Sequence, residues 1–321
     1  MSGQKLTPLK PILILAGPTA SGKTRLALDI AERIQGIIIN ADSIQIYKEL
    51  QILSSRPTIE QQMRASHQLY GILSVHERCS AGRWLSLVKP AIEKSWESQK
   101  IPLITGGTGL YIKVLLDGIS AIPDIPSNLI NDLQKRLSLI GAKAFREELA
   151  KKDPNAASRI LPNDSQRLVR AASVIASTGQ SLEYWWSKKV QIPAINARFL
   201  TIVLYPPREL LYSNIEARFD EMILQGAVDE AAEFSRLSVD PALPAARAVG
   251  LKELLRYINH ELDLSCSIKK AKQATRNLAK RQLTWAKNNI NANFFVCEQY
   301  SEDLIDRLID KINKFLLTDP Q

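Results

Sequence analysis

Cysteine and histidine are scarce in this 321-residue sequence, which contains three of each. The cysteines, Cys79, Cys266 and Cys297, are odd in number and far apart, so we expect neither a disulfide framework nor a zinc site. No apolar stretch approaches the ~20 residues that cross a membrane, and the opening MSGQKLTPLK lacks the apolar centre of a secretory signal. We therefore expect a cytoplasmic protein with no membrane partner.

Basic residues outnumber acidic ones and give a formal net charge of +9. A basic excess favours polyanionic partners, because each neutralised phosphate releases condensed counterions. A solvated, lysine-rich surface produces the same total charge. The distribution of basic residues along the chain must distinguish these alternatives.

The segment GPTASGKT, residues 17–24, matches the phosphate-loop pattern G-x-x-x-x-G-K-[ST]. In this pattern backbone N–H groups surround a phosphate, the lysine contacts its outer oxygens and the hydroxyl binds Mg²⁺. An apolar run precedes the segment, and apolar residues at helical spacing follow it, as the motif requires. A glycine-rich turn without a ligand is the alternative, but the complete motif predicts a phosphorylated ligand.

Four apolar runs predict strands of a parallel sheet, each close to a helical pattern. Between the third and fourth runs the chain contains several helix signals and no comparable strand. We therefore predict an α/β fold with a P-loop NTPase-like parallel sheet core, residues 1–120 and 197–321, and a helical insertion domain at 121–196. The predicted strands are 12–16, 37–41, 101–105 and 199–205.

Polar residues follow the second and third predicted strands, at the sheet edge where ligands of open α/β folds bind. Asp42 is a candidate general base, with a helix cap or a water-mediated Mg²⁺ contact as the alternative. The TGGTGLY segment at 105–111 can present N–H groups to a diphosphate, or form only a tight turn capped by Thr108. No candidate strand ends in the acidic pair expected of hydrolytic ATPases, which disfavours motor activity.

Five basic residues between 269 and 287 recur at steps of three, four, four and seven, which places them on one stripe of a helix. We predict that this stripe contacts nucleic-acid phosphates, with a solvated face as the alternative. Arg167 and Arg170, which follow the candidate caps Asn163 and Asp164, are expected to contact the same polyanion. The stripe consists of Lys269, Lys272, Arg276, Lys280 and Lys287.

Six motifs, in order over nearly the whole chain, resemble those of the tRNA dimethylallyltransferases, also called tRNA isopentenyltransferases. The resemblance implies transfer of a dimethylallyl group from its diphosphate to the exocyclic amine of adenosine at tRNA position 37, beside the anticodon. It also implies Mg²⁺, a target base that leaves its stack, and an insertion that holds the anticodon stem; we expect a monomer. The motifs are GPTASGKT at Gly17, ADSIQIY at Ala41, GGTGLYIK at Gly106, PNDSQRLVRA at Pro162, RAVGLKE at Arg247 and ATRNLAKRQLTW at Ala274.

The resemblance also assigns roles to individual residues. Asp42 matches the carboxylate that orients and deprotonates the amine, and the expected catalytic set is Asp42, Thr108 and Arg247, with Thr24 binding Mg²⁺. The expected diphosphate-binding residues are Gly17, Thr19, Ala20, Ser21, Gly22, Lys23 and Thr24. The expected tRNA-binding residues are Asp42, Ser43, Ile44, Gln45, Gln166, Arg167, Leu168, Val169, Arg170, Arg247, Lys280, Arg281 and Gln282.

Two segments depart from the family pattern. QILSSRP at 51–57 stands where the family carries a DIGTAKP-like stretch, so Leu53 replaces a glycine and Arg56 a lysine. The pair Gly250 and Leu251 replaces a glycine and a tyrosine, which removes an aromatic side chain. We expect altered substrate contacts, while the phosphate loop and the carboxylate after the second strand are retained.

Two other functions fit parts of the pattern. A P-loop kinase for a small metabolite shares the sheet, the carboxylate after the second strand and the glycine turn after the third, but it requires ATP. A non-catalytic RNA-binding protein would need neither a complete phosphate loop nor Asp42.

Overall fold

The computed structural model describes residues 9–120, 122–188, 193–298 and 300–318. Its strands are β1 (Pro11–Ala16), β2 (Gly36–Asn40), β3 (His67–Gln68), β4 (Ile101–Gly106), β5 (Arg198–Leu204) and β6 (Phe294–Val296). They form one parallel sheet in the order β3-β2-β4-β1-β5-β6. The parallel α/β core predicted from the sequence is confirmed, and β1, β2, β4 and β5 coincide with the four predicted runs to within one residue at each end.

The two short edge strands, β3 and β6, were not predicted. β3 has only two residues, both half-buried, and Val296 is the one buried residue among the three of β6. Neither segment carries a continuous apolar run, so no local pattern separates it from a loop. Pairing with β2 and β5 makes these segments strands.

The described helices fall into the order that an open α/β fold requires, with helices following most strands. None of them combines the length and the apolar character needed to cross a membrane. The helices are α1 (Lys23–Ile34), α2 (Ile59–Arg64), α3 (Ala81–Glu97), α4 (Gly109–Asp117), α5 (Ser127–Ala150), α6 (Pro154–Arg159), α7 (Ser165–Thr178), α8 (Leu182–Ser187), α9 (Arg208–Leu224), α10 (Ala227–Arg236), α11 (Leu251–Ile258), α12 (Leu264–Asn289) and α13 (Glu302–Leu317), with a 3-10 turn at Ala245–Arg247.

Side chains of β1 alternate between two hydrophobic clusters, because neighbouring residues of a strand point to opposite faces of a sheet. Ile12 and Ile14 pack in the cluster that contains Trp84 of α3. Leu13 and Leu15 pack with residues of α1 and α13. Both faces are covered, so the carboxyl edge is where a ligand can approach the strands.

Contacts divide the chain into two compact units, Met1–Asp117 with Pro193–Gln321, and Gly118–Ile192. The second unit contains α5 to α8 around a core of its own. Gly141 interrupts α5 with a φ of 78° and a ψ of 162°, and helix resumes beyond it. Residue 121, where the predicted insertion begins, and residues 189–192 near its end lie outside the described residues.

Candidate active site

The phosphate loop joins β1 to α1 and ends at Gly22, whose φ of 86° lies in the left-handed region that favours glycine. The first N–H groups of α1 are free to bind an anion, and the helix dipole favours negative charge at this end. Lys23 turns back so that its Nζ donates to the Pro18 carbonyl. The hydroxyl Oγ of Ser21 is buried and finds no hydrogen-bond partner within the described part of the chain. This arrangement suits a phosphorylated ligand.

Lys23 and Arg218 are half-buried residues whose charged groups are enclosed by the protein, and we call them the buried cations. Burial lowers the pKa of Lys23 to about 7; the charge of Asp42 partly opposes this shift, and that of Arg218 adds to it. Burial also lowers the pKa of the Arg218 guanidinium, again against the charge of Asp42. One carboxylate and two cations therefore influence each other at the carboxyl edge of the sheet.

Asp42 follows β2 and is held from both sides. The backbone N–H of Asp42 donates to Oδ1 of Asn40 at 2.8 Å, and Asp42 Oδ1 accepts the N–H of Ile44 at 2.9 Å. No described residue donates a hydrogen bond to Asp42 Oδ2. One carboxylate oxygen thus fixes the local turn, and the other is available to a substrate.

The glycine turn after β4 approaches the end of β2 very closely. A Cβ atom at Gly106 would lie 2.2 Å from the backbone carbon and oxygen of Ala41, so only glycine fits. The N–H of Thr108 donates to the Ala41 carbonyl at 3.2 Å, and Thr108 Oγ1 accepts the N–H of Ser43 at 2.9 Å. The Thr108 hydroxyl therefore positions the segment that carries Asp42.

Two residues that no local pattern singled out for these roles complete the site. Arg218 of α9 donates from Nη2 to Oγ1 of Thr19 at 2.9 Å. Gln282 of α12 accepts the Thr19 N–H at 2.9 Å and donates to the Gly107 carbonyl at 3.0 Å. Gln282 was expected to bind tRNA; in the structure it joins the two loops. Only long-range packing brings these residues to the phosphate loop, so no local pattern reveals these contacts.

Comparisons with known proteins identify the family. The model of the IPP transferase family matches residues 45–289, and the model of the isopentenyl transferase family matches residues 10–75. A tRNA dimethylallyltransferase of Rhodospirillum rubrum is 40% identical over 306 residues, 95% of this chain and 94% of the relative. A tRNA dimethylallyltransferase of Paramagnetospirillum magneticum is 42% identical over 310 residues, which cover 97% of this chain and 98% of the relative. The crystal structure of the tRNA isopentenylpyrophosphate transferase from Bacillus halodurans has a TM-score of 0.69 at 28% identity and covers 96% of both chains.

The chain belongs to the tRNA dimethylallyltransferase family. It is an enzyme of the prenyltransferase class, and the matches do not support the metabolite kinase. The resemblance inferred from six motifs is thereby confirmed.

The departures from the dimethylallyltransferase pattern at residues 51–57 are built into the fold. The carboxylate of Glu230 accepts the backbone N–H groups of residues 51, 52 and 53 at 2.6, 2.7 and 2.8 Å. Leu53 is buried in the core, and Arg56 donates to the Tyr47 carbonyl at 2.9 Å. These side chains therefore stabilise the loop that follows Asp42.

Arg247 lies in the 3-10 turn before α11. Arg247 is exposed, whereas Leu251 is fully buried in the hydrophobic core. A side chain at Gly250, whose φ is 92°, would meet the Phe219 ring at 2.9 Å. Leu251 thus supports the core and presents no side chain to a ligand.

The basic stripe lies on α12, as predicted, but its centre is neutralised. Lys272 pairs with Asp220 at 2.7 Å and with Glu216 at 3.4 Å, and Arg276 pairs with Glu216. The spacing of basic residues along α12 does not reveal these pairs, because the two acids, four residues apart, lie on α9. The other expected cations of α12 are exposed and form no ion pair with any described residue: Lys269, Lys280, Arg281 and Lys287.

The helix α7 carries the five expected tRNA-binding residues of the second unit. Leu168 and Val169 are buried in the core of that unit, so their side chains support the helix. Gln166, Arg167 and Arg170 are exposed. Asp164 caps α7 by accepting the Arg167 N–H at 3.1 Å, as the sequence predicted.

Proposed function

We propose that the site transfers a dimethylallyl group from dimethylallyl diphosphate to the exocyclic amine of adenosine 37 in tRNA and releases diphosphate. The observation that carries this proposal is the open carboxylate oxygen of Asp42 beside the buried cations Lys23 and Arg218. A base for the amine and an anion site for the leaving group therefore share one sheet edge.

The leaving group needs stabilisation as the carbon–oxygen bond breaks and negative charge accumulates on the diphosphate. Lys23 and Arg218 supply positive charge, and the N-terminus of α1 supplies N–H donors aimed at the same region. Preorganised donors in an enclosed site stabilise developing charge strongly, because they need no reorganisation during the reaction. We assign diphosphate binding to residues 17 and 19–24, together with Arg218.

Mg²⁺ fits the residues that the loop presents. The Thr24 hydroxyl stands at the metal-binding position of the motif, and the buried Ser21 Oγ has no hydrogen bond with any described residue. Magnesium bound with phosphates needs few protein ligands and prefers oxygen. When bound, the ion would neutralise charge on the diphosphate oxygens.

Asp42 is assigned as the general base. The new carbon–nitrogen bond forms as the carbon–oxygen bond of the donor breaks, and the amine proton passes to Asp42 Oδ2. Thr108 positions the Asp42 segment through its bond to Ser43. Arg247 is assigned to the catalytic set from its place in the RAVGLKE motif.

The tRNA contacts are assigned to exposed residues. In the insertion proposed at residues 121–196, Gln166, Arg167 and Arg170 are exposed, and we assign them to the anticodon stem; Arg167 also pairs with Asp164 at 3.3 Å. On α12, Lys280 and Arg281 are available to the phosphate backbone, whose contacts dominate affinity for nucleic acids. The target adenosine must leave its stack to reach Asp42.

A direct assay tests this function. Purified protein is incubated with Mg²⁺, dimethylallyl diphosphate and unmodified tRNA, and the digested nucleosides are analysed by mass. We expect adenosine that carries one dimethylallyl group, and none with a tRNA in which position 37 is guanosine. Phosphate transfer from ATP to a metabolite, without prenylation of tRNA, would contradict the proposal.

A further inference from the structure

A surface cavity of about 480 Å³ opens where β5 ends, on the far side of the phosphate loop from β4. Ala20 of the phosphate loop packs in one small hydrophobic cluster with Tyr212 and Leu283, which both line the cavity. The side-chain amide of Asn214 also donates to the Ala20 carbonyl at 3.2 Å. The cavity and the phosphate loop therefore share structural support.

The lining combines flat apolar surfaces with positive charge. Tyr205, Pro206 and Tyr212 provide rings, and Arg208 and Lys280 provide the cations. The Arg208 guanidinium lies 5.0 Å from the centre of the Tyr212 ring, and its Nε donates to the Tyr212 hydroxyl at 2.9 Å. Neither cation has a carboxylate partner in the part of the chain that the structure describes.

This charge pattern differs from that of the neighbouring turns of α12. Lys272 and Arg276, about two turns and one turn before Lys280, are neutralised by acids of α9. At the cavity, positive charge is left for a ligand. Aromatic surfaces combined with unpaired basic side chains are the usual surface for single-stranded RNA, where bases stack on rings and phosphates meet cations.

We propose that this cavity binds an unstacked nucleotide of the tRNA substrate, separate from the adenosine that reacts. The inference rests on the proposed function. In the strand order β2-β4-β1-β5, the ends of β2 and β5 are three strand spacings apart, or about 14 Å. At about 3.4 Å per stacked nucleotide, the bound nucleotide lies within about four positions of the adenosine at Asp42.

A pocket-filling pair of variants tests the proposal. Thr284 is exposed and lines the cavity, whereas Asn288, one turn further along α12, is exposed and does not. We expect Thr284→Trp to raise the KM for tRNA about tenfold, the scale of one lost base-stacking contact, with the KM for dimethylallyl diphosphate unchanged. Asn288→Trp should leave both values near those of the parent. Equal KM values for tRNA in the two variants would overturn the proposal.

Native cysteine chemistry gives an independent measurement. Cys297 is exposed and lines the cavity, Cys79 is buried, and Cys266 is removed as Cys266→Ser. We expect tRNA to slow alkylation of Cys297 by N-ethylmaleimide at least tenfold, and diphosphate with Mg²⁺ to leave the rate unchanged. Protection by a free mononucleotide but not by tRNA would overturn the proposal and assign the cavity to a free nucleotide.

The parent protein separates the two levels of inference. If the parent prenylates tRNA but Thr284→Trp behaves like Asn288→Trp, the cavity proposal fails and the proposed function stands. If the parent does not prenylate tRNA, the proposed function fails, and with it the identity of the cavity's ligand.

Discussion

Buried and exposed cations have different properties in this protein. Lys23 and Arg218 lie in the site beside Asp42, and burial lowers the pKa of both. Lys280 and Lys287 on α12 are exposed to solvent. Burial makes the charge of Lys23 sensitive to pH near neutrality, whereas the exposed cations are screened by salt. We propose that the buried cations bind the diphosphate and the exposed ones the tRNA.

A third group of cations is paired with acids of the fold. Lys272 and Arg276 are taken up by Glu216 and Asp220, so they hold α12 against α9. We thus propose different roles for three sets of residues with the same formal charge: binding of a small anion, binding of a polyanion and support of the fold. Burial and the nearest acid decide the role, and neither is visible in a charge count.

The largest expected effect concerns Asp42, the carboxylate beside the buried cations. In Asp42→Asn the side-chain oxygen can still accept the N–H of Ile44, but the basic carboxylate is lost. We expect the single-turnover rate of prenylation to fall by about two to four orders of magnitude, with little change in tRNA affinity. Asp220→Asn, which alters an exposed acid on α9, serves as the matched control. A near-normal rate in Asp42→Asn would reduce Asp42 to a turn-forming residue.

The pH dependence of diphosphate affinity tests the charge of the buried Lys23, which the exposed lysines do not affect. With a pKa of about 7, Lys23 loses its proton as pH rises through neutrality, whereas bound diphosphate favours the ammonium. We expect diphosphate affinity to fall with rising pH above 7, by at most about tenfold per pH unit, with uptake of a proton on binding. Lys23→Arg keeps its positive charge, so the diphosphate affinity of this variant should not show the fall above pH 7 that comes from Lys23.

Titration calorimetry in two buffers of different ionisation enthalpy counts the protons. The ligand titrates as well, so the relevant quantity is the difference between the parent and Lys23→Arg. Identical proton uptake in the two proteins would show that Lys23 stays charged in the free enzyme.

Gln282 links the two regions, because it lies on α12 and bonds both loops of the site. Gln282→Ala removes two hydrogen bonds, each worth about 0.5–1.5 kcal/mol. We expect kcat to fall about tenfold and the KM for dimethylallyl diphosphate to rise, with the thermal midpoint little changed. Gln273→Ala, on an exposed part of the same helix, is the control. Equal kinetics in both variants would limit Gln282 to a packing role.

The smallest expected effect compares the exposed and the ion-paired cations of the α12 stripe. Lys280→Gln with Lys287→Gln should lower the slope of log tRNA affinity against log salt by about 1.4 to 1.8, if each side chain contacts one phosphate. Lys272→Gln with Arg276→Gln should leave the slope unchanged and cost on the order of 1 kcal/mol of stability. Affinity measured at several salt concentrations distinguishes the pairs. A reduced slope in the second pair would mean that tRNA displaces the α9 acids.

Sequence patterns identified the parts of the site that are local. The phosphate loop, the strand ends at Asp42 and the glycine turn each occupy a few consecutive residues, and the four central strands are continuous apolar runs. Arg218 and Gln282 act across 199 and 263 residues of chain, where periodicity carries no information. The same limit explains the neutralised lysine and arginine of α12, since helical spacing reveals a shared face but not the helix opposite.

The close approach of Gly106 to Ala41 leaves no room for the backbone of the site to shift. The end of β4 presses against the backbone of Ala41, one residue before Asp42, with room for a hydrogen but not for a methyl group. Even an alanine there would push the base away from the phosphate loop while every reactive group remained present. Misalignment alone lowers the rate, because a shift of about 1 Å in a reacting group costs about a hundredfold. The packing of the sheet therefore sets how accurately the reacting groups are placed.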